Sequence, residues 1–106
     1  MWNVKGNDLE MVVGDYGVEL PVTVSDTTFT ENDKLKFTFK SAASGDVILE
    51  KEFDSIDQNT VQLMLTEAES ALFQVGSYVY SLDWYQSGVF MCNVVPAAAF
   101  KVVAKA

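Results

Sequence analysis

Any chemistry in this chain has to come from carboxylates, lysines, hydroxyls, aromatic rings and one thiol. The sequence holds 15 Asp and Glu against 7 Lys, with no His and no Arg, for a formal charge of −8 over 106 residues. Without histidine there is no Ser-His-Asp or Cys-His arrangement, no imidazole metal ligand and no histidine pH switch. Without arginine there is no bidentate clamp for carboxylate or phosphate. Two loops gather oxygens: Asp54-Ser55-Ile56-Asp57-Gln58-Asn59 and Glu31-Asn32-Asp33. Neither has the ligand spacing of a calcium loop or the flanking helices of an EF-hand. Their expected role is turn formation through side-chain-to-backbone hydrogen bonds. Nothing in either predicts the raised carboxyl pKa that a glycosidase acid needs. Cys92, the single cysteine, has no base partner and reads as a small half-buried hydrophobe rather than a nucleophile. The expectation is a non-catalytic protein with no metal site and no cofactor.

The distribution of charge is more informative than its total. From Gly6 to Asp33 the chain is acidic and lacks lysine, which fits a solvated, repulsive surface. That field opposes binding to nucleic acid. No apolar run reaches the ~18 residues of a membrane span, and Met1 to Asp8 lacks the apolar core of a secretory signal. Cytoplasmic synthesis is therefore expected. From Trp84 to Phe100 there is no charge of either sign.

The elements that position these residues read mostly as strands, because apolar residues recur with period two. Leu9 to Val13 is a first strand, interrupted at Gly14-Asp15. Tyr16 to Val24 resumes it, with Pro21 marking an edge. Lys34 to Lys40 puts Leu35, Phe37 and Phe39 on one face and lysines on the other. Val47 to Phe53 returns from a turn, and Val61, Leu63 and Leu65 alternate in a short strand. Thr66-Glu67-Ala68-Glu69 has the form of a capping box opening a helix over Glu67 to Phe73. Tyr78, Tyr80, Leu82 and Trp84 alternate along the next strand, Ser87-Gly88 turns it, and Val89 to Val95 returns. Pro96 kinks the chain before a last strand at Phe100 to Ala104. The pattern predicts an all-β protein, an antiparallel β-sandwich of seven or eight strands with one short helix before the Tyr78 strand, forming a single domain over residues 1–106.

Leu63-Met64-Leu65-Thr66 followed by Val75-Gly76-Ser77-Tyr78-Val79-Tyr80 resembles the segment between the fifth and sixth strands of immunoglobulin-like domains. The resemblance implies that Tyr78 is a tyrosine-corner residue and that Tyr80 fills the place of a disulfide cysteine. The wider pattern is Val13-Gly14-Asp15, Val18 to Val24, Leu35 to Lys40, the threonine-led helix, Gly76 to Tyr80 and Phe100-Lys101-Val102. It resembles the small immunoglobulin-like domains at the N-termini of phage and prophage tail or baseplate proteins, of the upper-baseplate kind. That implies a virion structural role, assembly with other protein subunits, and no catalytic residue to carry over.

With Ser87-Gly88 as a two-residue loop, Gln86 is expected opposite Val89, Tyr85 opposite Phe90 and Trp84 opposite Met91. Tyr80, Leu82, Trp84, Met91 and Val95 then form the core face. Val79, Tyr85, Phe90, Cys92 and Val94 fall on the other, an outer face unusually apolar for an antiparallel sheet. The reading is a docking surface for its own kind or another subunit. The alternative is a carbohydrate- or cell-surface-binding module, with Trp84, Tyr85 and Phe90 stacking on sugar rings beside Gln86, Ser87 and Asn93.

Overall fold

A computed structural model describes residues 2–25, 28–42, 44–54, 56 and 58–105. Among these, eight strands and one short helix follow in order: β1 (Trp2–Lys5), β2 (Asp8–Val12), β3 (Leu20–Thr23), β4 (Asp33–Lys40), β5 (Val47–Phe53), β6 (Thr60–Leu63), α1 (Glu67–Ser70), β7 (Gly76–Gln86) and β8 (Val89–Val103). Six strands form one sheet in the order β1-β2-β8-β7-β4-β5, and β3 and β6 form a second. The protein is all-β and sandwich-like. Leu35, Phe37 and Phe39 of the large sheet share one core with Val61 and Leu63 of the small one, and Phe73, Tyr80, Leu82 and Phe100 complete it.

The alternation of β4 works as its pattern predicts, with Leu35, Phe37 and Phe39 fully buried. Phe39, Phe73 and Phe100 meet edge to face, with ring centroids 5.1 to 5.7 Å apart. Such contacts add to area burial because ring edges and faces carry opposite partial charge. Lys51 of edge strand β5 lies opposite Phe37. From there it crosses to the helical corner, donating to the Met64 carbonyl and to Glu69 Oε1 at 2.8 Å. The capping box is formed in both directions: the Glu69 amide donates to Thr66 Oγ1, and the Thr66 amide donates to the Glu69 carboxylate. The helix is shorter than its pattern suggests, because after Ser70 the chain tightens into three-residue turns, Leu72 to Glu69 and Phe73 to Ser70.

Four expectations are corrected. The large sheet is mixed rather than wholly antiparallel, since β2 runs parallel to β8, with Leu9 beside Phe100 and Val12 beside Val103. The strand expected over Tyr16 to Val24 is confined to Leu20–Thr23. The Gly17 amide instead donates to the Leu65 carbonyl at 2.9 Å, with Gly17 at a positive φ of 74°, which holds the preceding segment out of the ladder. The N-terminal hairpin of β1 and β2, turned by Gly6-Asn7 with Gly6 at a φ of 59°, was not anticipated. Finally, Pro96 does not end a strand: β8 is continuous, and its pairing with β7 shifts register around Leu82, where Pro96 sits and where no ladder donor is required.

Candidate protein-interaction surface

The β7–β8 hairpin turns at Ser87-Gly88, both with positive φ, 50° and 81°, the geometry of a type I′ turn matched to strand twist. The Ser87 amide donates to the Asn32 carbonyl at 2.9 Å, tying the turn to the loop before β4. Gln86 lies opposite Val89 and Tyr85 opposite Phe90, as the sequence predicts, but Trp84 lies opposite Cys92 and not Met91. A register shift between Trp84 and Tyr85 leaves Met91 without a partner. A second, between Leu82 and Asp83, does the same to Val94.

These bulges redistribute the expected surface. Tyr85 and Phe90 remain together on the outer face, their rings edge to face at 5.7 Å. Val79 shares that face between Lys40 and Ala99, six residues along β7 and so about 20 Å from Tyr85. Cys92 is shifted into register with core-facing Trp84 and is exposed rather than half-buried. Val94 is drawn against the core. Met91, expected in the core, is 44% exposed; with Val89 at 63% and Phe90 at 50% it makes three successive apolar residues open at the hairpin tip. No period-two reading reveals Met91, because a bulge moves one residue out of phase without changing composition.

Around Tyr85 the face becomes charged. Lys36 Nζ lies 5.2 Å from the Tyr85 ring centroid and 2.9 Å from Glu50, while Lys34 pairs with Glu52 at 3.2 Å. The hydrogen bond to Glu50 raises the Lys36 pKa, burial opposes it, and Tyr85 adds to the rise. Tyr85 therefore joins an apolar tip to a row of paired lysines and glutamates, an arrangement with the apolar centre and polar margin of a protein interface.

The other singled-out groups have structural roles. Tyr78 Oη donates to the Gln74 carbonyl and accepts from the Gln74 amide, each at 3.0 Å, and its ring meets Phe73 edge to face. Tyr80 is buried in the core and donates to the Asn7 carbonyl. Trp84 is no free stacking plane, because its ring stands edge-on to Phe29 at 5.5 Å and its Nε1–H is bound to Asp33. Asp33 is only 1% exposed and accepts from the Thr30 amide, Thr30 Oγ1 and Trp84. Of the Asp54 to Asn59 loop, Ser55 and Asp57 lie outside the described residues. Among the described residues no three acidic or cysteine side chains converge in a way that could hold a metal ion. Nor is any helix long and apolar enough to cross a membrane. Comparison with protein-family models, curated proteins and solved structures finds no match for the chain.

Proposed function

We propose that this chain is a non-catalytic assembly module that docks on protein subunits, its own copies or others, through the tip of the β7–β8 hairpin. The observation that carries the reading is the open apolar run Val89-Phe90-Met91 beside Tyr85, in a stretch without a charge, on a protein of net charge −8. Clustered aromatic and methionine side chains with charged margins are the composition of interface centres. Support for an immunoglobulin-like domain comes from the parallel β2–β8 pair at one end of a β8-β7-β4-β5 order, the separate β3–β6 pair, and Tyr78 closing the corner after α1. Together with the sequence resemblance to tail and baseplate domains, this favours synthesis in the cytoplasm and assembly into a virion tail.

Sedimentation velocity over a hundredfold range of concentration tests the reading, using the protein and its Tyr85→Asp and Phe90→Asp variants. Concentration-dependent association in the parent, lost in both variants at unchanged melting temperature, is expected. Equal sedimentation of all three at equal stability would remove self-association from the proposal and leave only a foreign subunit as partner. Retention of tail-subunit binding by both variants would overturn the surface itself.

A further inference from the structure

We infer that the open edge of β8 pairs with the same edge of a second copy, antiparallel about a two-fold axis, so that two large sheets join into one. The inference rests on the docking reading above and names its partner and its contact. Strand β8 is paired with β7 along one side, but β2 covers the other side only at Phe100 to Val103. Among the described residues no strand pairs with that side from Val89 to Ala99. Where β2 would continue alongside β8, the chain turns away at Gly6-Asn7 into β1. Asp8 Oδ1 instead accepts the Ala99 amide at 3.1 Å, so this amide points away from β7 and the open row ends there. At the other end, the two-residue turn makes Gln86 and Val89 the hydrogen-bonded pair, which directs the Phe90 N–H and C=O outward.

A row of outward backbone donors and acceptors is met by another extended strand. Folded proteins commonly guard such edges with lysine, inward charge or proline. Here there is no charge from Trp84 to Phe100, and alternation from Ala99 turns Pro96 toward β7, so the open side loses no donor to it. Charge and length choose a second copy. Two chains of net charge −8 repel wherever their carboxylates face each other, and this stretch lets them meet without opposing like charges. The open edge is bounded by the turn at Ser87-Gly88 and by Asp8 at Ala99. An antiparallel copy therefore brings its own turn to the place where β2 begins, and neither β2 is displaced. The exposed Val89, Phe90 and Met91 of each copy then lie beside the Val95 to Ala99 end of the other. The register shifts along β7–β8 bend the edge and divide the row, so the pairing is reversible rather than obligate. Because the same patch serves both partners, association closes at two.

Sedimentation velocity and amide hydrogen exchange of the full chain, each over a wide range of concentration, test the pairing. A concentration-dependent dimer is expected, with no larger species and with slowed exchange on β8 between Phe90 and Ala97. Ala97→Lys puts a cation at an exposed position of each edge and should weaken the dimer roughly tenfold or more at unchanged melting temperature. Asn93→Lys, also exposed, gives the same reading should Ala97→Lys fail to fold. A parent that stays monomeric to millimolar concentration overturns the edge pairing while leaving docking on a foreign subunit intact. A dimer that a folded lysine variant keeps and Tyr85→Asp abolishes also overturns it, and assigns self-association to side chains of the tip. Growth beyond dimers overturns the two-fold arrangement.

Discussion

The indole N–H of Trp84 donates to Oδ1 of Asp33 at 2.9 Å, fastening the strand that carries the candidate surface to the first residue of β4. Asp33 is a buried carboxylate whose charge is held by fixed donors rather than by a lysine. Burial alone would raise its pKa, but hydrogen bonds from the Thr30 amide, Trp84, Thr30 Oγ1 and Gln86 outweigh it, and the net shift is downward. The bond holds Trp84 beside the register shift that leaves Met91 without a strand partner.

Trp84→Phe keeps an aromatic ring against Phe29 but removes the donor. It leaves a buried carboxylate one hydrogen bond short, a loss of about 1–3 kcal/mol. Urea unfolding should show that loss in the midpoint at unchanged slope. A parent-like midpoint would mean the Asp33–Trp84 bond carries no net stability.

Acid stability follows from the same carboxylate and from Glu69. The Glu69 pKa is also lowered, since hydrogen bonding and charge from Lys51 and the Thr66 amide outweigh its burial. A depressed folded pKa means stability that is complete above the ordinary values, 3.8 for Asp33 and 4.5 for Glu69, and is lost as pH falls through the lower folded values. Melting temperature should therefore be level above about pH 5 and fall steeply below pH 4. Asp33→Asn and Glu69→Gln should each flatten that fall. A parent-like acid limb in both variants would assign it to other groups.

Ser87 occupies a left-handed conformation, φ 50°, at the first central position of the hairpin turn. Asparagine is more at ease there than serine, and Asn-Gly is the preferred pair for a type I′ turn. Ser87→Asn should raise stability by roughly 0.5 kcal/mol, a rise in melting temperature of a few degrees at this chain length. A fall would indicate that asparagine disturbs the Ser87 bond to Asn32.

Tyr78→Phe tests the corner. It keeps the ring on Phe73 and Phe100 but removes both the acceptor for the Gln74 amide and the donor to the Gln74 carbonyl. Each such bond is worth about 0.5–1.5 kcal/mol net, and because Gln74 is exposed the loss should stand near the lower figure. Chemical denaturation measures it, and near-ultraviolet circular dichroism reports whether the corner keeps its packing.

What the amino-acid pattern shows and what it hides divides along local and non-local interactions. The β4 alternation, the Thr66–Glu69 capping box and the Tyr85–Phe90 pairing are legible because each depends on residues a few positions apart. The Trp84 register is not, because Met91 and Val94 drop out of phase only when β8 is laid against β7, and Trp84's partner Asp33 lies fifty-one residues away. The parallel pairing of β2 with β8 is equally invisible, since a strand's own sequence does not state its neighbour's direction. Period-two reading therefore puts Tyr85 and Phe90 side by side, as the structure has them, and misplaces Cys92 and Val94.

The pairing of Leu9 with Phe100 also sets an order of events in time. Strand β2 is made well before its partner in the sheet, which lies about ninety residues further along the chain. Until Phe100 to Val103 are available, Leu9 and Met11 have no β8 to bury against. The hairpins β4–β5 and β7–β8 close short loops, whereas joining β2 to β8 closes one of about ninety residues, at a correspondingly larger entropic cost. The N-terminal strands are thus expected to dock last, and before they do so the β8 edge away from β7, uncharged from Val89 to Phe100, is open. A folding experiment with a fluorescent reporter at Trp2, compared with one at Trp84, should resolve the two stages.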